Sequence, residues 1–154
     1  MIREASISDF TAISDLENQV FQIHLKARPD IIKPEGPFNK DYFKTRLNDE
    51  NTKIFVFEEN RELLGYCITR IWEYNNHHLF YDMTILEIYD MCVSEKARGK
   101  GIGRLLFNHA KDYAKKIGAA KMELSVWSFN KNAREFYESL GLKERTSRME
   151  IFLD

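Results

Sequence analysis

The chain of 154 residues carries only two cysteines, Cys67 and Cys92, and its three prolines all fall between residues 29 and 37. So few cysteines make no disulfide framework, and both sit in apolar, strand-like runs, so a reduced intracellular setting is expected. No apolar run approaches the length of a membrane span. The opening residues, Met1 to Ser6, lack the apolar centre of a signal peptide. A soluble cytoplasmic protein with no membrane partner is therefore expected. Neither sign of charge dominates, with 23 basic against 24 acidic side chains and a formal net charge of −1. A surface devoted to nucleic acid would carry a basic excess, so that class of partner is set aside. No repeat, low-complexity tract or Pro/Gly/Ser-rich linker interrupts the sequence, and one domain over residues 1–154 is expected.

What is present is enough apolar material for a core: 44% hydrophobic residues, with aromatics at 13%. Ile2 to Ala5 reads as a short strand. Ser8 offers an N-cap to a helix whose apolar face is Ile13, Leu16, Val20, Ile23 and Ala27, ended by Pro29. A loop holds the prolines, and a shorter helix over Lys40 to Leu47 is anchored by Tyr42, Phe43 and Leu47. Lys53 to Glu58 and Leu63 to Glu73 are strand-like and joined by a polar turn, which predicts an antiparallel pair. Asn75 to His78 is a second turn, with His77 and His78 facing solvent, and Ile85 to Val93 is the next strand. A helix follows, with Ile102, Leu105, Leu106, Ala110, Tyr113, Ala114 and Ile117 on one face and Gly118 at its end. Lys121 to Trp127 predicts a strand, Asn130 to Leu140 a helix stopped by Gly141, and Arg148 to Leu153 a last strand, with Leu142 to Thr146 as an additional one. The β–α–β order after residue 85 predicts parallel neighbours joined by a crossover helix, hence a mixed α/β sheet.

The most informative segment is Arg98-Gly99-Lys100-Gly101-Ile102-Gly103-Arg104, set between a strand and a helix. Alternate glycines free the backbone for close approach to a ligand. The helix they open presents unpaired N–H groups and a positive dipole end, which suits phosphate oxygens. No Lys-Ser or Lys-Thr follows, so this is not a P-loop. The third glycine of a dinucleotide fingerprint is absent, because Leu106 or Arg104 stands in its place.

The pattern R-x-x-G-x-G, met by Arg98, Gly101 and Gly103, resembles the GNAT superfamily of acetyl-CoA-dependent N-acetyltransferases. A second block, N-x-x-A-x-x-x-Y-x-x-x-G, is met by Asn130, Ala133, Tyr137 and Gly141, and Asp90 to Val93 looks like the end of that family's central strand. The likeness is specific from about Glu87 to Leu142. It implies a single-domain, mostly antiparallel sheet flanked by helices, with one parallel strand pair forming the acetyl-CoA cleft.

The resemblance also implies roles. Backbone N–H groups of Gly99, Lys100, Gly101, Ile102 and Gly103, with Arg98 and Arg104 beside them, would hold the pyrophosphate of acetyl-CoA. The main chain of Met91, Cys92 and Val93 would pair with the pantetheine arm, and one of those amides would face the thioester oxygen. Asn130 and Ala133 would border the cofactor, Asn130 also capping its helix. Tyr137 matches the family tyrosine that protonates the leaving thiolate. A thiol near pKa ~8.5 and a phenol near ~10 are close enough for that transfer. The acceptor amine must first lose a proton, and Asp90 and Glu87 are the candidate bases, with Asp90 nearer the reacting segment. In a regular strand their odd spacing places them on opposite faces. Cys92 lacks an activating neighbour in sequence and is rejected as a nucleophile.

No Cys/His spacing indicates a metal. The expected activity is direct transfer of an acetyl group from acetyl-CoA to a primary amine of a small molecule or peptide. Two other readings are a non-catalytic acyl-CoA-binding regulatory module and an enzyme using an unrelated phosphorylated cofactor. The family's acceptor site is commonly lined by the N-terminal helices and the segment between them. Here that is His24 to Phe38, with Arg28, Asp30, Lys33 and Glu35, whose mixed charge selects no acceptor. Homodimerisation is left open.

Overall fold

Runs rich in apolar, β-branched and aromatic residues become five strands: β1 (Ile2–Glu4), β2 (Thr52–Glu59), β3 (Glu62–Tyr74), β4 (Met83–Val93) and β5 (Lys121–Leu124). The structure, a computed structural model, describes residues 1–36 and 39–153. The strands form one sheet in the order β1-β2-β3-β4-β5. The first three pairings are antiparallel and β4–β5 is parallel, so the mixed, mostly antiparallel sheet expected from the sequence is the one observed. The hairpin turn between β2 and β3 places Asn60 and Arg61 at positive φ, 51° and 65°, matching the right-handed twist of the strands it joins.

Helices α1 (Phe10–Ala27) and α2 (Lys40–Asn48) cover one face of the sheet, and α3 (Ile102–Lys116) the other, with α4 (Lys131–Ser139) beside it. Ile13, Leu16 and Phe43 pack on Ile54, Val56, Tyr66 and Ile68. Ile102, Leu106, Phe107 and Ala110 pack on Phe55, Cys67 and Ile88 on the other side. Helix α3 ends in a Schellman motif. Gly118, at φ 73°, donates to Lys115 O at 3.1 Å, and Ala119 donates to Ala114 O at 2.9 Å.

Several local expectations are corrected. Ser8 caps nothing; the Asp9 carboxylate instead accepts the Ser6 N–H at 2.8 Å and is gripped by both ends of the Arg3 guanidinium at 2.8 and 2.9 Å. The buried face of α1 stops short of Ile23 and Ala27, which are exposed because the helix runs past the sheet. Tyr42 and Leu105 are exposed, and Phe107 takes the inward place given to Leu105. Strand β5 ends at Leu124, three residues before Trp127, where its pairing with β4 stops. Residues 142–153 form no strand, although two were expected there.

Strand β3 crosses so close under α3 that Gly65 is required. A Cβ at that position would lie 2.9 Å from Cys92 O and 3.1 Å from Leu106 Cδ1. Backbone and core cannot both yield, so Gly65→Ala is expected to lose about 1–3 kcal/mol of stability, read as a lower denaturation midpoint at unchanged m-value.

Candidate active site

Strand β4 holds the centre of the site, and one irregularity decides its geometry. Ile68 pairs with Asp90, yet the next residue, Thr69, pairs with Ile88, so Tyr89 is an extra residue bulged out of the ladder. The bulge cancels the odd spacing of Glu87 and Asp90. Tyr66 Oη donates to Asp90 Oδ2 at 2.6 Å and Trp72 Nε1 donates to Glu87 Oε2 at 2.7 Å. Tyr66 and Trp72 lie six residues apart on the continuous β3, so they share a face. Both carboxylates therefore stand on the α1/α2 side, contrary to the alternation expected of a regular strand.

The same stretch opens the sheet. Strands β4 and β5 pair only from Ile85–Lys121 to Ile88–Leu124 and then separate. Beyond Ile88, β4 is bonded to β3 alone, and the outward backbone groups of the Met91–Val93 stretch face the gap. At the end of β4 the chain turns through a single 3₁₀ turn, Glu95–Ala97, into the glycine loop. Gly99 and Gly101 have φ of 78° and 80°, and nothing lies within 4 Å of where their Cβ atoms would stand. Gly101 is the N-cap of α3 and no side chain caps that end, so the first N–H groups of the helix are bare toward solvent. Arg98 Nε donates to Val93 O at 3.3 Å, while Lys100 and Arg104 are exposed beside the loop. Gly103 serves packing instead. A Cβ there would meet the Phe136 ring at 3.0 Å, so this glycine lets α4 approach α3.

A cleft of about 390 Å³ runs along the gap. Asp90, Met91, Asn130, Ala133 and Tyr137 line it together with residues of α1 and α2. A larger recess of about 670 Å³ lies between α1 and the β2–β3 turn. It is an open, charged trough that includes none of those five residues, so the smaller cleft is the one placed for chemistry. Asn130 Oδ1 accepts from the Ala133 N–H at 3.2 Å and sets the start of α4. Tyr137, about two turns later, is half-buried, and burial pushes its hydroxyl well above the ordinary phenol range. It keeps its proton at neutral pH.

Asp90 is partly buried, and burial raises its carboxyl above the usual range, with the bonds from Tyr66 and the Met91 amide opposing that shift. Glu17 of α1 shares the cleft. Its carboxyl is likewise raised by burial, against the Arg46 guanidinium that donates to it at 2.9 Å, and nearby Asp90 raises it further. Arg46 lies over the Tyr42 ring, 4.9 Å from its centroid. At the outer end, Trp127 stacks on Phe129 at 5.8 Å, His24 meets Phe129 edge-on at 5.7 Å, and the Arg28 guanidinium sits 5.5 Å above Trp127. The cleft thus has an acidic floor and an aromatic mouth.

Among the described residues of the segment expected to line the acceptor side, only His24 reaches the cleft wall. Arg28 is held by Asp30 and Glu150, Lys33 and Glu35 are exposed, and Phe38 lies outside the described residues. Glu17, Arg46, Tyr66 and Trp127 were not singled out from the sequence. One signal existed: Glu17 falls four residues after Ile13 and three before Val20, a charge on an apolar helical stripe. Cys92 is buried, its Sγ is 3.4 Å from Leu16 O, and burial pushes its thiol up to about 12. That environment is inert, in keeping with its rejection as a nucleophile. His77 and His78 are exposed and stacked at 4.5 Å. No group of three metal-ligating side chains gathers among the described residues, and none of the described helices is long and apolar enough to cross a membrane.

The acetyltransferase (GNAT) family profile matches residues 15–142. The N-acetyltransferase YhfO of Bacillus subtilis is 34% identical over 148 residues, covering 94% of this chain and 91% of that protein. The L-ornithine N5-acetyltransferase NATA1 of Arabidopsis thaliana is 27% identical, over 90% of this chain but only 54% of its own length. Among solved structures, a tetramutant of the BH1408 protein from Bacillus halodurans is 33% identical and superposes over 99% of both chains with a TM-score of 0.95. An aminoglycoside N-acetyltransferase, AAC(6')-Iy, solved in complex with CoA, shares the fold at 13% identity and a TM-score of 0.74, over 100% of this chain and 98% of that one.

Proposed function

The chain belongs to the acetyltransferase (GNAT) family, and from that premise we propose that it transfers an acetyl group directly from acetyl-CoA to a primary amine. The observation that carries the reading is the gap between β4 and β5, which gathers a bare strand edge, a protonated tyrosine and a partly buried carboxylate into one cleft. A relative of the same fold solved with CoA supports the choice of donor.

The residues divide the work as follows. The uncapped start of α3 and the main chain of Gly99–Gly103 bind the pyrophosphate, with Arg98 and Arg104 adding charge. The free edge of Met91, Cys92 and Val93 orients the pantetheine arm as a strand would, and an amide of this stretch donates to the thioester oxygen as charge develops on it. Asn130 and Ala133 border the donor. Asp90 takes the amine proton, through water where needed, and its raised pKa brings it nearer the pH at which a base is effective. Tyr137 supplies the proton that the departing thiolate requires. Glu87 is the alternative base on the same face, although its bond to Trp72 engages it elsewhere.

The deciding experiment is a thiol-release assay with acetyl-CoA against a panel of primary amines, with mass spectrometry of the products. A product heavier by one acetyl group supports transfer. Binding of CoA with no turnover on any amine would instead make this an acyl-CoA-binding module. The donor site has its own check. Gly101→Val would force a β-branched residue to φ 80° and crowd the backbone that faces the ligand. Affinity for acetyl-CoA is expected to fall at least roughly tenfold, ~1.4 kcal/mol, in a variant that still unfolds cooperatively. Calorimetry showing parental affinity would remove the pyrophosphate from this loop.

A further inference from the structure

Glu17 is a carboxylate on the cleft floor that the proposed chemistry does not use. Its side chain is only 13% exposed. One oxygen, Oε1, accepts from Arg46 Nη2 at 2.9 Å. The other, Oε2, has no partner among the described residues, and Glu17 lines the cleft. Both oxygens of so sheltered a carboxylate are normally met, and the cleft is where a partner reaches this one. Asp90 is close enough for the two carboxylates to feel each other. Set against the Arg46 guanidinium, Glu17 and Asp90 leave the floor with one uncompensated negative charge. That is the complement of a single ammonium group, since sheltered charges are paired.

Above the floor the wall is apolar and aromatic, with Val20, Tyr42, Tyr89, Val126 and Trp127. Aromatic faces are good seats for a second cation, but here the chain's own arginines take them. The guanidinium of Arg46 lies 4.9 Å from the Tyr42 centroid, that of Arg70 3.6 Å from Tyr89 and that of Arg28 5.5 Å from Trp127. Arg28 is anchored there by Asp30 and Glu150. Arg70 has no ion-pair partner among the described residues; Glu87, opposite it on β4, bonds Trp72 instead. A second ammonium would meet these cations on leaving the floor, whereas a flat apolar body would meet ring edges and aliphatic side chains.

We propose that the acceptor is a primary monoamine with a flat, apolar, aromatic body, its ammonium received by Glu17 Oε2 and its body lying among Tyr42, Tyr89 and Trp127. The assignment rests on acetyl transfer to an amine as read above: Glu17 binds the ammonium, and Asp90 beside it takes the proton. Arg46 is a positioning residue, whose one bond fixes Glu17 while leaving the second oxygen free. The cleft, about 390 Å³, must also admit the thioester, so the body is compact.

The test is calorimetry of amine binding to the chain with and without CoA, which needs no turnover. Phenethylamine is expected to bind at least roughly tenfold tighter than butanediamine, which adds a second cation, or phenethyl alcohol, which keeps the ring and lacks the charge. Glu17→Gln keeps an oxygen for Arg46; it should lose the margin of the amine over the alcohol and bind the alcohol as the parent does. Trp127→Ala should weaken both ring ligands and leave butanediamine unchanged. A diamine that binds as tightly as phenethylamine, or a Glu17→Gln variant with parental affinity for phenethylamine, would overturn the proposal. Tight binding of phenethylamine without its acetylation upholds the site and counts against acetyl transfer, so the two readings fail separately.

Discussion

Replacing Tyr137 with phenylalanine is expected to lower kcat roughly 10²- to 10⁴-fold, the usual contribution of a positioned proton donor, while leaving stability nearly unchanged. The ring stays, and with it the edge-on contact to Phe136 at 5.2 Å; only the hydroxyl is lost. Burial holds that hydroxyl protonated, so the parental enzyme always has the proton at hand and the variant never does. KM for the donor should hardly move, because the contacts proposed for the pyrophosphate and pantetheine lie on the loop and on β4. Donors with better leaving groups than an alkyl thiolate should recover much of the loss, since they need no proton. Parental turnover under conditions where chemistry limits the rate would reduce Tyr137 to a packing residue.

Asp90→Asn is expected to cost a similar factor, roughly 10²–10⁴ in kcat/KM, and to alter the pH profile. A base works only when ionised, so the parental rate should rise with pH as Asp90 loses its proton. Burial raises that pKa, which places the acidic limb above the range of an ordinary carboxylate. In the variant the limb should disappear. Stability should change in the opposite sense. A carboxyl whose folded pKa is raised binds its proton more tightly in the folded state; the stability it contributes is full below the unfolded pKa and is lost as pH rises through the folded one. At neutral pH the amide, which can still accept from Tyr66, should be at least as stable as the parent. Glu87→Gln is the companion measurement. If Asp90→Asn keeps both limb and rate while Glu87→Gln loses them, the base is Glu87; if neither variant loses them, the amine arrives neutral or yields its proton to solvent.

The sequence was most legible where one segment settles its own structure. The helix that follows the glycine loop, its terminal Gly118 and Asn130 as the cap of α4 all depend on neighbours within a few residues, and all were read correctly. Features that depend on a distant partner were hidden. The bulge at Tyr89 exists only relative to β3, so the shared face of Glu87 and Asp90 could not be counted out along β4 alone. Arg46 and Glu17 are 29 residues apart and meet only because α1 and α2 lie on the same face. Phe107 displaced Leu105 because the orientation of α3 on the sheet, rather than periodicity, selects which of two adjacent apolar residues turns inward. The tail reads as strand because its residues prefer that state, but preference supplies no edge to pair with.

The parting of β4 from β5 has a consequence for the energetics of the whole domain. A sheet is normally finished by polypeptide; this one breaks off after four parallel pairs and leaves an unpaired strand edge in its interior. Whatever slender molecule pairs with that edge takes over a structural duty as well as a chemical one. Because it grips the folded chain and not the unfolded one, its concentration sets part of the folding equilibrium, adding about 2.7 kcal/mol at a hundredfold excess over its dissociation constant. The protein's durability is thus coupled to the supply of that molecule: in scarcity it is an incomplete sheet, and in plenty a closed one.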